Sequence, residues 1–498
     1  MLKGKNKLGL IPINTLLFFV VLCLGTEVFA TDKYSNLESK TQQLLKELRR
    51  VGIPSSSVGV SVTIIPSTIY PFEPVRYGFN SKKKFNPAST VKLFTSFYAL
   101  SVLGSSYRFK TDFFIVGKRD LDSFDGDFYL KGRGDPKLVY EDLQEIVYAM
   151  RAKGYRKLRG NFIIDDSYFS EPEINAASFD GKKNKPYNVG PNAALVNFKA
   201  VELTVAKVKR KINISLKPQL ADFTVVNNMR WVRGSCGKNK IFYKEFDGKL
   251  KVYGRFGTRC KRQRLYLSLS THKRFAFGLF KQAWIDSGGQ FDQVLIDGVV
   301  PKEAELVYSW TSPRSLELLI KDINTLSNNT MARTMFLTLS AGKGSPGTLE
   351  KSRRLLSSWF YDLGIGLGDV TIENGSGLSR LTKLTPTHID TLLYEATFSK
   401  EFQVWKKSLA LAGKEGTTVN RFRGMDVSGN AWLKTGSLDN VQAYAGYVLT
   451  ETKRWISFAI LVNHRVAERA KLPLDKFIDS LYRDAGPQLL VEGSKQVK

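Results

Sequence analysis

Ser89 and Lys92 stand three residues apart in NPASTVKLF, two positions after Pro87 and at the start of an apolar run. On a helix, positions i and i+3 share a face, so this spacing sets a hydroxyl beside an amine. A serine hydroxyl is a weak nucleophile and needs a base to take its proton as it attacks. Lysine is that base only when neutral, and burial and nearby positive charge both lower its pKa. A helix N-terminus adds backbone N–H groups that can stabilise an oxyanion. The same spacing recurs at Ser81/Lys84, Ser235/Lys238, Ser270/Lys273 and Ser340/Lys343, where a surface serine is the plain reading. Only at Ser89 does the pair follow a turn and open a long apolar helix.

Two further motifs could serve the same chemistry. WLKTGSL contains Lys434-Thr435-Gly436, the only Lys-Thr-Gly in the chain, just before the apolar VQAYAGYV. Lysine and threonine offer a charge and a hydroxyl to a carboxylate, and a glycine lets another segment lie close against a strand. The alternative is a lysine-rich turn. Ser327-Asn328-Asn329 follows the helical SLELLIKDIN, where the alternative is a helix-to-helix turn with capping side chains. Ser428-Gly429-Asn430 has similar residues but lies just before Lys434, so it reads as the lead-in to that strand.

The elements that must carry these groups come from both ends of the chain. Leu37, Leu44, Leu45 and Leu48 recur at helical spacing, and SVGVSVTII alternates Val58, Val60, Val62 and Ile64 as a strand does. TVKLFTSFYALSVLG reads as a buried helix ending at Gly104. Near the other end, AYAGYVLT and WISFAILVN read as paired strands followed by an apolar helix to about Tyr482. Between Phe109 and Ser309 the character changes to strands such as DFFIV, DFYLKG, NFIID, KINISL and RLYLSLS. Helical sequence resumes at Ser312-Pro313. A β-rich insertion between two halves of an α+β domain accounts for this order. The 498 residues allow about three domains at ~150 residues each.

Composition narrows the setting. Residues 1–30 carry Lys3, Lys5 and Lys7, an apolar run through Leu24, and Val28 and Ala30 in positions that suit cleavage after Ala30. A retained membrane anchor is the alternative. Cys23 leaves with such a leader, so Cys236 and Cys260 remain, able to form one disulfide or to stay as free thiols. The stretch FYKEFDGKLKVYGRF between them reads as two strands around an Asp247-Gly248 turn. Three histidines, His272, His388 and His464, give little material for a zinc site or a histidine-based triad. The formal charge of +29 suits nucleic acid, but the export leader argues against that partner. Anionic polymer or lipid outside the membrane is the better match, with Arg230 to Lys273 as one basic cluster. The plain alternative is a solvated, solubilising surface.

Taken in order, Ser-x-x-Lys, Ser-Asn-Asn and Lys-Thr-Gly match the set found in penicillin-binding proteins and β-lactamases, with Ser-Asn-Asn in place of the Ser-Asp-Asn of many β-lactamases. The chain resembles the peptidase S13 family of class C, low-molecular-mass penicillin-binding proteins, D-alanyl-D-alanine carboxypeptidases and endopeptidases. LKGRGDPKL, GNFIIDDSYF, ALVNF, ENGSGLSRLTKLTP and AGKEGTTVNRF extend the likeness over nearly the whole mature chain. Asn374 stands where that family usually has aspartate. The resemblance implies a transpeptidase-like α+β domain, 31–108 with 310–498, interrupted by domain II at 109–190 with 286–309, and by a β-rich domain III at 191–285. It implies Ser89 as nucleophile, Lys92 as base, Ser327 and Lys434 as a proton relay, and Asn329 as a ligand of the substrate amide. Backbone N–H groups of Ser89 and Ser437 would form the oxyanion hole, with Thr435, Gly436 and Ser437 at the terminal carboxylate. Asp165 would meet a free amine on the substrate side chain, with Phe169 over its alkyl stem, although a capped turn at Asp165 is the alternative. The expected partners are peptidoglycan peptides and β-lactam antibiotics, with no cofactor or metal; the state of assembly is left open.

Overall fold

The computed structural model describes residues 36–66, 73–342, 344–366 and 370–483. The expected leader lies outside these residues. Among the described residues no helix is long and apolar enough to cross a membrane.

Helix α1 (36–50) buries the four leucines of its apolar stripe, Leu37, Leu44, Leu45 and Leu48. Strands β1 (Val58–Ile65) and β2 (Val75–Phe79) follow, then α2 (Lys92–Leu103). From Lys92 to Leu100 every residue of α2 is buried, which is why its sequence shows no polar face.

The chain then leaves this layer. It forms β3 (Arg108–Asp120), β4 (Ser123–Gly132), α3 (Tyr140–Ala152) and β5 (Lys157–Asp165). Six more strands follow: β6 (Val201–Val208), β7 (Lys211–Lys217), β8 (Thr224–Val232), β9 (Lys240–Phe246), β10 (Lys249–Gly257) and β11 (Arg262–Leu267). Helix α4 (His272–Asp286) and strands β12 (Gln290–Ile296) and β13 (Glu305–Ser315) bring it back. These strands form a five-stranded sheet, β12-β5-β4-β3-β13, and two three-stranded sheets, β11-β6-β7 and β8-β10-β9. One core runs through all three, from Phe128 and Phe162 to Leu203, Val252 and Phe256. Asp247 and Gly248 both take positive φ, as the tight β9–β10 hairpin requires. Cys236 and Cys260 are joined as a disulfide. Helix α4 was not evident in a stretch read as strands. Its HKRFAFGLFKQAWID interleaves aromatic and basic residues, and Phe280 and Trp284 become core only by packing on the five-stranded sheet.

The last section supplies α5 (Leu316–Thr325), α6 (Asn329–Thr338), α7 (Leu349–Asp362), α8 (Pro386–Ala396), α9 (Phe402–Ser408), β14 (Ala410–Leu411), β15 (Ala431–Leu438), β16 (Val441–Leu449), β17 (Trp455–Asn463) and α10 (Lys471–Tyr482). Both ends of the chain meet in a six-stranded antiparallel sheet, β14-β15-β16-β17-β1-β2, with Val60 opposite Ile460. The sheet is covered on both faces. Ala443, Ala445 and Tyr447 of β16 face the core shared with α2, α5, α6, α8 and α9, while Tyr444 and Val448 face α1 and α10. Two-sided burial explains the unbroken apolar runs of β16 and β17. Each large side chain so enclosed contributes ~1.5–3 kcal/mol.

Candidate active site

The turn carrying Ser89 is clamped before it reaches the helix. Asn86 donates from Nδ2 to the Ser379 carbonyl at 2.9 Å and accepts the Ala88 N–H at 2.9 Å. Asn463 on β17 accepts the Asn86 N–H at 2.7 Å and donates to its carbonyl at 3.0 Å. Ala88 is held at φ +46°, a left-handed conformation that costs an L-residue roughly 1–2 kcal/mol. Ser89 itself sits in a 3₁₀ turn, Ala88–Val91, and α2 begins at Lys92. The sequence suggested both residues on one α-helix; the tighter turn instead eclipses i and i+3. Lys92 Nζ thereby lies 3.0 Å from Ser89 Oγ.

The two lysines are buried and their hydroxyl partners are not. Lys92 and Lys434 are both fully enclosed, whereas Ser89 and Ser327 are half-buried. Lys92 Nζ also donates to Asn329 Oδ1 at 2.7 Å and to the Ser376 carbonyl. Lys434 Nζ donates to Ser327 Oγ at 3.0 Å and to the Thr435 carbonyl at 2.9 Å. Burial lowers the Lys434 pKa to about 7. Burial lowers that of Lys92 well below its ordinary value, and the positive charges of Lys434 and Arg333 lower it further. Arg333, four residues beyond Asn329 on α6, is buried and donates to the Val189 carbonyl at 3.1 Å. Its burial lowers its own pKa only to about 10, so it stays cationic at neutral pH. The site therefore sets a serine hydroxyl against an amine whose charged form is disfavoured by burial and by its cationic neighbours.

Helix α6 and strand β15 bring the other motifs to this turn. Ser327 joins α5 to α6 at φ +60°, and Asn328 caps α6 by accepting the Met331 N–H at 3.0 Å. Ser327-Asn328-Asn329 is thus both a capped helix junction and the source of two polar groups in the site. Asn430 lies before β15, as the lead-in reading of Ser428-Gly429-Asn430 implies. Gly436 is where β15 touches the turn: a Cβ there would stand 2.9 Å from Ser89 N and 2.9 Å from the Pro87 carbonyl. Gly377, at φ +78°, is still tighter, since its Cβ would fall 1.9 Å from the Ala88 carbonyl. Thr435 Oγ1 donates to Thr417 Oγ1 at 2.8 Å, and the exposed Ser437 donates to Gln442 Oε1 at 2.9 Å. The Tyr187 carbonyl, in the loop after β5, accepts from Asn329 Nδ2 at 3.4 Å.

Asp165 departs from its expected role. Its side chain is wholly buried and its oxygens are engaged. Oδ1 accepts the Ser167 N–H at 3.0 Å and hydroxyl at 2.5 Å; Oδ2 accepts the Val300 N–H at 3.0 Å and lies 3.1 Å from Lys131 Nζ. These partners outweigh burial and lower its pKa. A carboxylate already neutralised by Lys131 is a capped turn, not an open receptor for a substrate amine. Phe169 pairs with Gly347 in an isolated bridge, and its ring packs at Gly134 and against Tyr168. Four contributors are given no role from the sequence, Arg333, Ser376, Thr417 and Asn463, although Ser376 and Thr417 lie in the stretches ENGSGLSRLTKLTP and AGKEGTTVNRF. Arg333 had one signal, its place a helical turn from Asn329.

The chain matches the D-Ala-D-Ala carboxypeptidase 3 (S13) family over residues 67–481. It is 27% identical over 391 residues to a D-alanyl-D-alanine carboxypeptidase of Actinomadura sp. (strain R39), covering 75% of this chain and 72% of the relative. It is 23% identical over 426 residues to the D-alanyl-D-alanine carboxypeptidase DacB of Haemophilus influenzae, covering 82% and 87%. Its fold is similar to that of the H. influenzae penicillin binding protein 4 (dacB), with a TM-score of 0.72 at 21% identity, over 88% of this chain and 98% of that one. A predatory peptidoglycan endopeptidase from Bdellovibrio bacteriovorus shares it more distantly, with a TM-score of 0.50 at 15% identity, over 86% and 93%. This protein belongs to the D-Ala-D-Ala carboxypeptidase 3 (S13) family.

Proposed function

We propose that this protein is a serine DD-peptidase that cleaves D-Ala-D-X bonds of peptidoglycan stem peptides or cross-bridges through an acyl-enzyme on Ser89. The observation that carries this reading is the Ser89–Lys92 pair: a hydroxyl 3.0 Å from a buried lysine amine whose pKa is lowered. Ser89 Oγ attacks the carbonyl carbon while its proton passes to Lys92 Nζ. Charge develops on the carbonyl oxygen and meets the backbone N–H groups of Ser89 and Ser437. The C–N bond then breaks, and the proton taken up by Lys92 is relayed through Ser327 and Lys434 to the departing amine. Asn329 holds the substrate amide and Lys92 together; Thr435 and Ser437 receive the terminal carboxylate. Water ends the cycle by hydrolysing the ester.

A β-lactam presents a similar acyl group and traps the same serine. Export after Ala30 fits a substrate outside the membrane. The transpeptidase-like domain comprises 31–108 and 310–498, with the five-stranded sheet as domain II and the two small sheets as domain III. The packing of Phe280 of α4 on Phe162 of β5, with ring centroids 5.0 Å apart, supports ending domain III near residue 270 in place of 285. Incubation with a chromogenic β-lactam should give one rapid equivalent of ring opening followed by slow turnover, and a D-Ala-D-Ala pentapeptide should lose its terminal D-alanine. Sustained rapid β-lactam turnover without peptide hydrolysis would make the enzyme a β-lactamase instead.

A further inference from the structure

The sheet β8-β10-β9 turns Val225, Leu250, Val252 and Phe256 into the core. Its other face has an unusual composition. Across the three strands, Lys251 stands between Val226 and Lys244, and Arg255 between Arg230 and Lys240. Between those two rows, Tyr253 stands between Asn228 and Phe242, and the two rings stack at 5.6 Å. Lys249, flanked by Thr224 and Phe246, extends the pattern. No position in these four rows is acidic. Among the described residues, none of the six cations has an ion-pair or hydrogen-bond partner.

Folding does not account for this arrangement. Like charges directly opposite in neighbouring strands destabilise a sheet, by ~0.2–1 kcal/mol per pair. A surface serving solubility alone intersperses both signs. Asn228, Arg230, Lys244, Lys251, Tyr253 and Arg255 line a shallow, open depression of about 510 Å³. Residues two apart on one side of a strand are separated by ~6.8 Å. The aromatic pair therefore lies about 7 Å from a basic row on either side.

We propose that this face docks an anionic glycan strand. A sugar ring lies on Tyr253, its hydroxyls reach Asn228, and acidic substituents to either side meet Lys251 with Lys244 and Arg255 with Arg230. A ring-free polyanion would leave the aromatic row and Asn228 unused. The inference concerns the inserted sheets and stands independently of the chemistry at Ser89.

The test uses the full chain with four probes: hyaluronate oligosaccharides, linear polyphosphate of matched charge, neutral dextran, and phosphatidylglycerol vesicles. Hyaluronate should bind, with affinity falling as salt rises, and dextran should not. Lys251→Gln with Arg255→Gln should weaken hyaluronate binding about tenfold, since each exposed ion pair is worth a few-fold. Tyr253→Leu keeps the bulk but removes the ring, so it should weaken hyaluronate several-fold and leave polyphosphate unchanged. The single Lys251→Gln variant and an unaltered rate of penicillin acylation guard against misfolding. Failure of hyaluronate to bind would overturn the proposal. So would tighter binding to vesicles than to hyaluronate, or equal affinity of Tyr253→Leu and wild type for hyaluronate.

Discussion

Gly436→Ala measures how closely β15 holds Ser89, the proposed nucleophile. The added Cβ would stand 2.9 Å from Ser89 N, 2.9 Å from the Pro87 carbonyl and 3.0 Å from the Ala88 Cβ, where ordinary contact begins at 3.4 Å. All three neighbours are backbone atoms or a Cβ, so none can rotate away. Strand and turn must part by roughly half an ångström, at a cost of ~1–3 kcal/mol for an overfilled contact. Those same two segments carry the N–H groups assigned to the oxyanion hole. A 1 Å misplacement costs about 100-fold and loss of one donor about 100–1,000-fold, so a half-ångström parting should slow acylation by ~10–100-fold. The melting temperature should fall by about 2–10 °C for a domain of this size. Pseudo-first-order acylation by a chromogenic β-lactam gives the rate, and calorimetry gives the stability. Acylation within about twofold of wild type, at an unchanged melting temperature, would refute the claim that β15 presses on the Ser89 turn.

Other perturbations should follow the same logic. Lys434 has a native pKa near 7 and an ordinary value of 10.5, so between those values the unfolded chain binds a proton that the native chain does not, and native stability rises with pH across that window. Lys434→Met should therefore stabilise the fold most below pH 7, with a gain that shrinks towards pH 10, while acylation is lost; melting curves that show a pH-independent difference would contradict this. Asp165→Ala leaves Lys131 and two backbone N–H groups without their acceptor, so it should cost ~3–5 kcal/mol of stability. It should leave unchanged the ratio of kcat/KM for peptides with and without a side-chain amine, and a selective loss on the amine-bearing peptide would restore a substrate role for Asp165.

The sequence disclosed most where chemistry and pattern were local. Ser89 and Lys92 are three residues apart, and the apolar runs AYAGYVLT and WISFAILVN marked β16 and β17 as paired strands. Pairing Ser327 with Lys434 was reachable only because each belongs to a short motif of its own. Arg333 was legible only by its place a helical turn from Asn329, because a lone arginine in a helix gains its electrostatic meaning from burial beside Lys92. Asp165 misled for a related reason. Its neutralising partner, Lys131, comes from the adjacent strand β4, where it stands beside Asp165 in register. The substrate role of Asp165 came from the resemblance alone, and the strand pairing that supplies Lys131 is invisible in one dimension. The 3₁₀ turn at Ser89 escaped notice because a positive φ at Ala88 is imposed by Asn86, Asn463 and Gly377, not by alanine itself.

The identity of the nucleophile is tested most directly by intact-mass measurement of the protein after brief exposure to benzylpenicillin, followed by mapping of the modified peptide. One adduct per chain on Ser89, absent from Ser89→Ala at the same melting temperature, is the expected result. An adduct on another residue, or labelling of Ser89→Ala at the wild-type rate, would contradict the assignment of Ser89.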